Sequence, residues 1–345
     1  MLTIIATIFV FGVIVLVHEW GHFITAKLTG MRVDEFAVGF GSKLWSKRVG
    51  ETTYSLRSVP LGGFNRIAGM TEEQVEEDQV DPRRAFVYKP AWKRFIVIVA
   101  GAAMNFILAI ILISGLFSAY GVSTPSDEPI VGEVLTQAPA SSHQLVPGDR
   151  IVAIQGEPIR QWNEISPHMQ KWGGQVVTLR VERNHEPLTL QVIPGSDNGR
   201  VVLGILPVIE TRPVGLLESV QYGAERSWNL TAQMWKGIGQ LITGKVSGSE
   251  LAGPVGIAQM AGNIARTGFA NLLMFTAVLS LNLGLLNLLP VPLLDGGHLL
   301  LIVVEGIIGK KLPPKYLYYI QMTGMLLLGA LFIYATSNDI LRFLK

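Results

Sequence analysis

Four apolar stretches punctuate the chain, at residues 3–28, 95–120, 272–308 and 317–335, each close to or above the roughly 20 residues that a membrane-crossing helix needs. They predict spans within 1–28, 95–120, 271–309 and 316–336. The run TIIATIFVFGVIVLV, from Thr3 to Val17, holds no charge. It lacks a basic leader and ends in polar residues of an unusual kind, so it is expected to stay in the protein as a span rather than be removed as a signal. The third stretch is too long for one straight crossing, and its interior explains why. Residues 287–298 read NLLPVPLLDGGH. Pro290 and Pro292 remove backbone donors and break a helix, and irregular backbone at membrane depth is tolerated only against protein or a wet cavity.

Other periods fill the connections. In 29–94 the segment TTYSLRSVPLGGFNRIAGM alternates like a hairpin, with Gly62-Gly63 at the bend, and predicts a β region beside the membrane. Residues 128–208 carry short alternating runs (IVGEVL, IVAIQGEPI, VVTLRVER, LTLQVIP) and the turn Pro147-Gly148-Asp149-Arg150, which predict an inserted α+β module. Across 209–270 the spacing of Leu, Val, Trp and Met, clearest from Pro213 to Ile242, predicts interfacial amphipathic helices. Trp228 and Trp235 fit an interface belt, and equally a packing face against the inserted module. The fold class expected is a polytopic α-helical membrane protein with four transmembrane helices, a membrane-associated β-hairpin region and one inserted α+β domain.

Composition agrees with that mixture. The 345 residues are 49% hydrophobic and 16% charged, and the mean hydropathy is +0.39, too apolar for an ordinary soluble enzyme and too mixed for a bare bundle. A net charge of +2 gives nothing to attract nucleic acid, and the absence of cysteine excludes disulfides and thiolate-bound zinc. Charge position says more than net charge. Lys27, Arg32, Lys43, Lys47, Arg48, Lys89, Lys93 and Arg94 surround the first connection, whereas no Lys or Arg occurs from Phe95 until Arg150. The positive-inside rule puts 29–94 in the cytoplasm and the inserted module outside; Lys310, Lys311 and Lys315 mark a second cytoplasmic connection, leaving both termini outside.

The candidate chemistry lies at the end of the first span, where residues 18–22 read HEWGH. On a helix His18 and His22 share one face, so two neutral imidazoles can grip one Zn²⁺ ion while Glu19 acts as the base for a metal-acidified water. Ionisable groups beside hydrocarbon are costly unless they serve a site. Helix rise puts His18 about 23 Å below an outer entry at Thr3 and Asp295 about 34 Å below one near Leu272, less where the helix breaks, so both fall towards the cytoplasmic side. Asp295 is thus the expected third ligand. Asp34 and Glu35 compete for that role by proximity in sequence, and His298 is either a partner of the ligand shell or a polar cap on the break. A non-catalytic scaffold is the rival reading; it has no need of these groups at one depth. A metal transporter would want ionisable groups along its whole path.

HEWGH in the first span, paired with NLLPVPLLDGGH in the third, resembles the site-2 protease family of intramembrane zinc metalloproteases, in its bacterial RseP-type branch. The resemblance implies an inner-membrane enzyme that cleaves single-pass membrane proteins within their spans, such as anti-sigma factors or remnant signal peptides, using one zinc ion. By that likeness His18, His22 and Asp295 are ligands and Glu19 the base, while Asn287, Pro290 and Pro292 help hold the substrate strand. Residues 53–70 match the family's membrane-associated β-loop, with Gly62, Gly63 and Phe64 on the substrate. The stretch APASSHQLVPGDRIVAIQGEPI resembles PDZ domains, implying a peptide groove that either filters substrates or stands closed as a spacer. The implied partners are such substrates, the lipid bilayer and a peptide ligand of the PDZ domain, with no nucleic acid. There are departures: the family's Gly-Pro-x-x-Asn is Gly101-Ala102-Ala103-Met104-Asn105 here, which predicts a straighter second span, and the chain has room for one PDZ module where larger members carry two.

Overall fold

The computed structural model describes residues 1–135, 144–197, 200–246 and 252–343, and the chain forms two compact units, Met1–Ala119 with Gly215–Lys345, and Tyr120–Val214. Among the described residues of the larger unit, four helices are long and apolar enough to cross a membrane. Helix α1 (Leu2–Leu28) buries Ala6, Val10, Ile14, His18, His22 and Ala26 in a file at four-residue spacing, the stripe by which a helix packs on its neighbours. The N-terminal part of the file, Ala6, Val10 and Ile14, meets Ala261 and Leu272. At the other end, Phe23 and Ala26 join Met31, Val33, Val97 and Ile98. One file therefore carries both the packing and the two imidazoles.

Helix α2 (Glu72–Glu77) is a short helix capped by the Thr71 side chain, which accepts from the Gln74 N–H. Helix α3 (Ala91–Tyr120) starts directly after Pro90, slightly before the expected residue 95, and runs unbroken through Gly101–Asn105. It approaches α1 where Gly21 faces the Ala100 carbonyl; a Cβ there would stand 2.4 Å from that oxygen, so only glycine fits. The third apolar stretch is broken as its prolines predict, into α7 (Phe269–Asn287) and α8 (Asp295–Ile308). Gly296 and Gly297 let the loop fold over the start of α8, because side chains there would meet the Leu289 and Val291 carbonyls at 2.1 and 2.5 Å. Helix α9 (Pro314–Phe343) extends beyond the expected residue 336. Its buried Asp339 accepts the Gly253 and Gly256 N–H groups at 2.9 and 2.8 Å. That carboxylate caps α6 (Pro254–Thr267) from a distance.

Helix α5 (Leu216–Ile242) lies along α3 and α7: Tyr222 meets Phe117, and Leu230 and Met234 join the cluster of Ala109, Ile113, Ala277 and Leu281. Trp228 and Trp235 stay exposed.

The β region corrects one expectation. Strands β1 (Val33–Val49) and β2 (Thr52–Ile67) form the hairpin, and its turn is at Gly50-Glu51, not at Gly62-Gly63. The turn settles there because Gly50 takes a positive φ of 61° and Glu51 is held by Lys27 at 2.6 Å and Arg84 at 2.8 Å. Gly62 and Gly63 lie inside β2. There they admit close passage, since a Cβ would stand 2.6 Å from the Phe40 ring at Gly62 and 2.5 Å from the Ala37 carbonyl at Gly63. Both long strands bend, so Ala37 lies opposite Phe64 and also Ser55, and Val38 opposite Gly63 and also Leu56. Residues 63–66 consequently form an outer edge of this sheet among the described residues.

The second unit is built of short strands: β3 (Val122–Pro125) with β12 (Ile209–Arg212), β4 (Val131–Val134) with β11 (Ile205–Pro207), and β9 (Gly195–Asp197) with β10 (Arg200–Val202). A further sheet has the order β6 (Glu157–Pro158), β5 (Arg150–Ile154), β7 (Val177–Arg183), β8 (Glu186–Val192). Helix α4 (Trp162–Gln170) contributes Ile165 and Met169 to a core with Val131, Ile151, Leu179 and Val192. Asp149 of the expected turn is fully buried and accepts two bonds from Arg183, at 2.7 and 2.8 Å. Residues 138–143, which open the PDZ-like stretch, lie outside the described residues.

Candidate active site

The stripe on α1 delivers His18 and His22 into the larger unit, and the break between α7 and α8 delivers Asp295 to meet them. The two Nε2 atoms are 3.2 Å apart, and each is 3.3 Å from Asp295 Oδ2. A tetrahedral zinc ion with ligand bonds near 2.0–2.1 Å spaces its ligand atoms about 3.3 Å apart. The spacing fits. Asp295 Oδ2 is also buried with no hydrogen-bond donor of its own, as a metal-binding oxygen should be. It sits at the first residue of α8, where the helix dipole favours a carboxylate. Among the described residues, His18, His22 and Asp295 are the group able to hold a metal ion.

Neighbours fix the rings. His22 Nδ1 lies 2.8 Å from the Val97 carbonyl; its N–H donates there, which leaves Nε2 with a free lone pair. His18 Nδ1 lies 3.3 Å from Asn105 Nδ2, while Asn105 Oδ1 is buried and unpartnered. Reversing that amide lets Oδ1 accept the Nδ1–H of His18, satisfies both groups and bares His18 Nε2 for the metal. Gly101 makes room for both rings: a Cβ there would stand 2.2 Å from His22 Nε2 and 2.8 Å from His18 Cε1.

Glu19 occupies the next position on α1, and its Oε2 accepts a bond of 2.9 Å from Asn65 Nδ2. The same Nδ2 also donates to the Glu19 backbone carbonyl. Asn287, the last residue of α7, reaches within 3.4 Å of His18 Nε2.

The remaining sequence candidates fall in different places. Pro290 is exposed in the loop, and Pro292 abuts α9 at Gly324, where a Cβ would be 2.4 Å away. Phe64 lies under the Arg57 guanidinium at 4.8 Å and stacks with Phe40. The competing ligands are committed elsewhere. Asp34 accepts from Arg32 at 2.6 Å; Glu35 accepts from Ser55 at 2.6 Å and Arg57 at 2.9 Å, with Lys43 at 3.3 Å. Partial burial pushes the Glu35 carboxyl up, but those hydrogen bonds outweigh it and hold it below the usual range. His298 makes no hydrogen bond to Asp295 among the described residues. It lines a cavity of about 690 Å³ with Phe86, Arg94, Glu305 and Lys311, across which Arg94 and Glu305 pair at 2.8 Å.

Sequence reasoning missed Asn65 and the ring-orienting role of Asn105. One signal marked Asn65 as unusual without pointing to Glu19: asparagine is depleted in strands, and here it follows Gly62-Gly63-Phe64 near the end of β2.

Comparison with known proteins gives the family of the chain. The profile of peptidase family M50 matches residues 6–331. The chain is 31% identical to the regulator of sigma-W protease RasP of Bacillus subtilis, covering 99% of this chain and 98% of that protein. It is 32% identical to the zinc metalloprotease RasP of Bacillus licheniformis, covering 99% of each. Among solved structures, the PDZ domain of an SdrC-like protein from Listeria monocytogenes aligns with 25% of this chain and 94% of its own length, at 21% identity and a TM-score of 0.22. The family match reaches across both spans that carry the site, and the chain belongs to peptidase family M50, as a metalloprotease of the site-2 type.

Proposed function

We propose that this chain is an intramembrane zinc endopeptidase that cuts single-pass membrane proteins, such as anti-sigma factors or remnant signal peptides, within their spans. The observation that carries the reading is the meeting of His18, His22 and Asp295 beside Glu19, from two apolar segments far apart in sequence. His18, His22 and Asp295 would hold a zinc ion, which would supply the Lewis acidity that makes water a nucleophile near neutral pH. Glu19 takes the proton of the attacking water and later delivers it to the leaving amine. No covalent bond to the enzyme forms.

A peptide bond within a helix is shielded, and unwinding it exposes backbone groups that need partners in a dry site. The outer edge at 63–66 offers strand pairing, with Gly62, Gly63 and Phe64 beside the substrate. Asn287 and the loop carrying Pro290 and Pro292 hold it from the other side. The charge bias supports a bacterial inner-membrane setting, with this site towards the cytoplasm and the 128–208 module outside as a PDZ-type filter for peptide-like partners. A non-catalytic scaffold explains neither the third ligand nor the base.

The test is reconstitution with a single-span substrate in vesicles, with the cut mapped by mass spectrometry. Cleavage inside the span, lost on zinc chelation and restored by zinc, is expected. Cuts confined to residues outside the span, or cleavage indifferent to chelation, would overturn the reading.

A further inference from the structure

The base is not left to its own helix. Asn65 reaches it from β2, donating Nδ2 to Glu19 Oε2 at 2.9 Å and to the Glu19 carbonyl as well. This fixes the sense of the amide, because the reverse orientation would set Oδ1 against two acceptors. It also fixes which carboxylate oxygen is occupied. With Oε2 engaged, Oε1 is the oxygen left for proton transfer. Asn65 belongs to the outer segment of the sheet, next in sequence to the Gly62-Gly63-Phe64 stretch, and Phe36 lies opposite it in the register. Its Oδ1 is buried and unpartnered, a side-chain acceptor left unmatched beside a site that must satisfy the N–H groups of an unwound substrate.

We propose that Asn65 is a positioning residue for the general base: it holds one oxygen of Glu19 so that the other faces the reacting water, and it ties that alignment to the strand that receives the substrate. The inference rests on the reading of Glu19 as the base. Asn65 touches the base rather than the reacting bond, so its loss falls on turnover more than on substrate affinity.

The experiment uses the full chain in vesicles with one single-span substrate, measuring kcat, KM and zinc content. Asn65→Leu keeps the approximate shape and removes the donor. It is expected to lower kcat about 10- to 100-fold, the scale of a misaligned catalytic group, with KM within about threefold and zinc content unchanged. Asn65→Gln, which retains a donor, recovers a substantial part of the loss. In a double-mutant cycle with Glu19→Asp, whose carboxylate is drawn back from Asn65, the Leu substitution costs far less than in the parent enzyme. Normal kcat in Asn65→Leu, a loss confined to KM, equal losses in both backgrounds, or zinc loss in the Leu variant would overturn the proposal. Glu19→Gln separates the two layers. If it retains turnover, the reading of the base has failed; if it is inactive while Asn65→Leu is normal, the positioning role alone has failed.

Discussion

Gly101 shows how little freedom the candidate metal site allows. Its hydrogen occupies the place where any side chain would meet His22 Nε2 at 2.2 Å, so Gly101→Ala must displace the rings or part α1 from α3. We expect this variant to lose zinc affinity by about 10- to 100-fold, the scale on which supporting residues act at metal sites, even though alanine is the better helix former. Metal analysis after dialysis checks it, and a zinc content equal to the parent's would show that the crossing can relax. At this scale the sequence was informative wherever a motif had a geometric reason. His18 and His22 are legible because a four-residue spacing puts them on one helix face, and Asp295 because an acidic residue in a broken apolar segment needs a partner. Asn65 was not legible as part of the site. Its position beside Glu19 depends on how β2 lies against α1, and no local pattern encodes that.

The hairpin shows the same limit for an element. Alternation identified the strands, but Gly50 and Gly62 can both take the positive φ of a turn, and alternation cannot choose between them. The choice is made by the clasp of Lys27, Glu51 and Arg84, formed by residues from three separate segments. The Arg84 guanidinium above all, with Lys27, lowers the Glu51 pKa from 4.5 to about 2. A carboxyl whose pKa is depressed on folding stabilises the fold above its unfolded value and loses that contribution as pH falls through the folded one. Glu51→Gln is therefore expected to be less stable than the parent near pH 7, by about 1–2 kcal/mol after allowance for solvent screening. The gap should narrow between about pH 4.5 and pH 2. Thermal unfolding of both proteins in detergent across that range provides the comparison; a gap as wide at pH 3 as at pH 7 would show that the clasp does not act through this carboxylate.

For the whole molecule, two units with separate cores imply separable stabilities. Asp149 is fully buried against Arg183. Burial pushes its carboxyl up, but the bonds from Arg183 and the Val146 N–H prevail and hold it below the usual range. Asp149→Asn should weaken the unit at residues 120–214 by about 1–3 kcal/mol and leave zinc content unchanged. Hydrogen exchange on the full chain reads this as faster exchange in β5, β7 and β8 with the protection of α1 and α3 retained; zinc loss in this variant would show that the units depend on each other. The four apolar helices and the unit of short strands were legible from hydropathy and period, because a long apolar run and strand alternation leave different repeats. The joining of the two half-sites was legible only in outline. Depth arithmetic brought His18 and Asp295 to one level, but the contact itself depends on the loop folded over Gly296 and Gly297.

In the proposed function, Glu19 moves the proton at a centre held by His18, His22 and Asp295. Its most direct test is the turnover of Glu19→Gln on a single-span substrate in vesicles, measured beside its zinc content. A loss of at least about 100-fold is expected, with zinc retained at the parent's level. Turnover near the parent's in a zinc-loaded Glu19→Gln enzyme would contradict it.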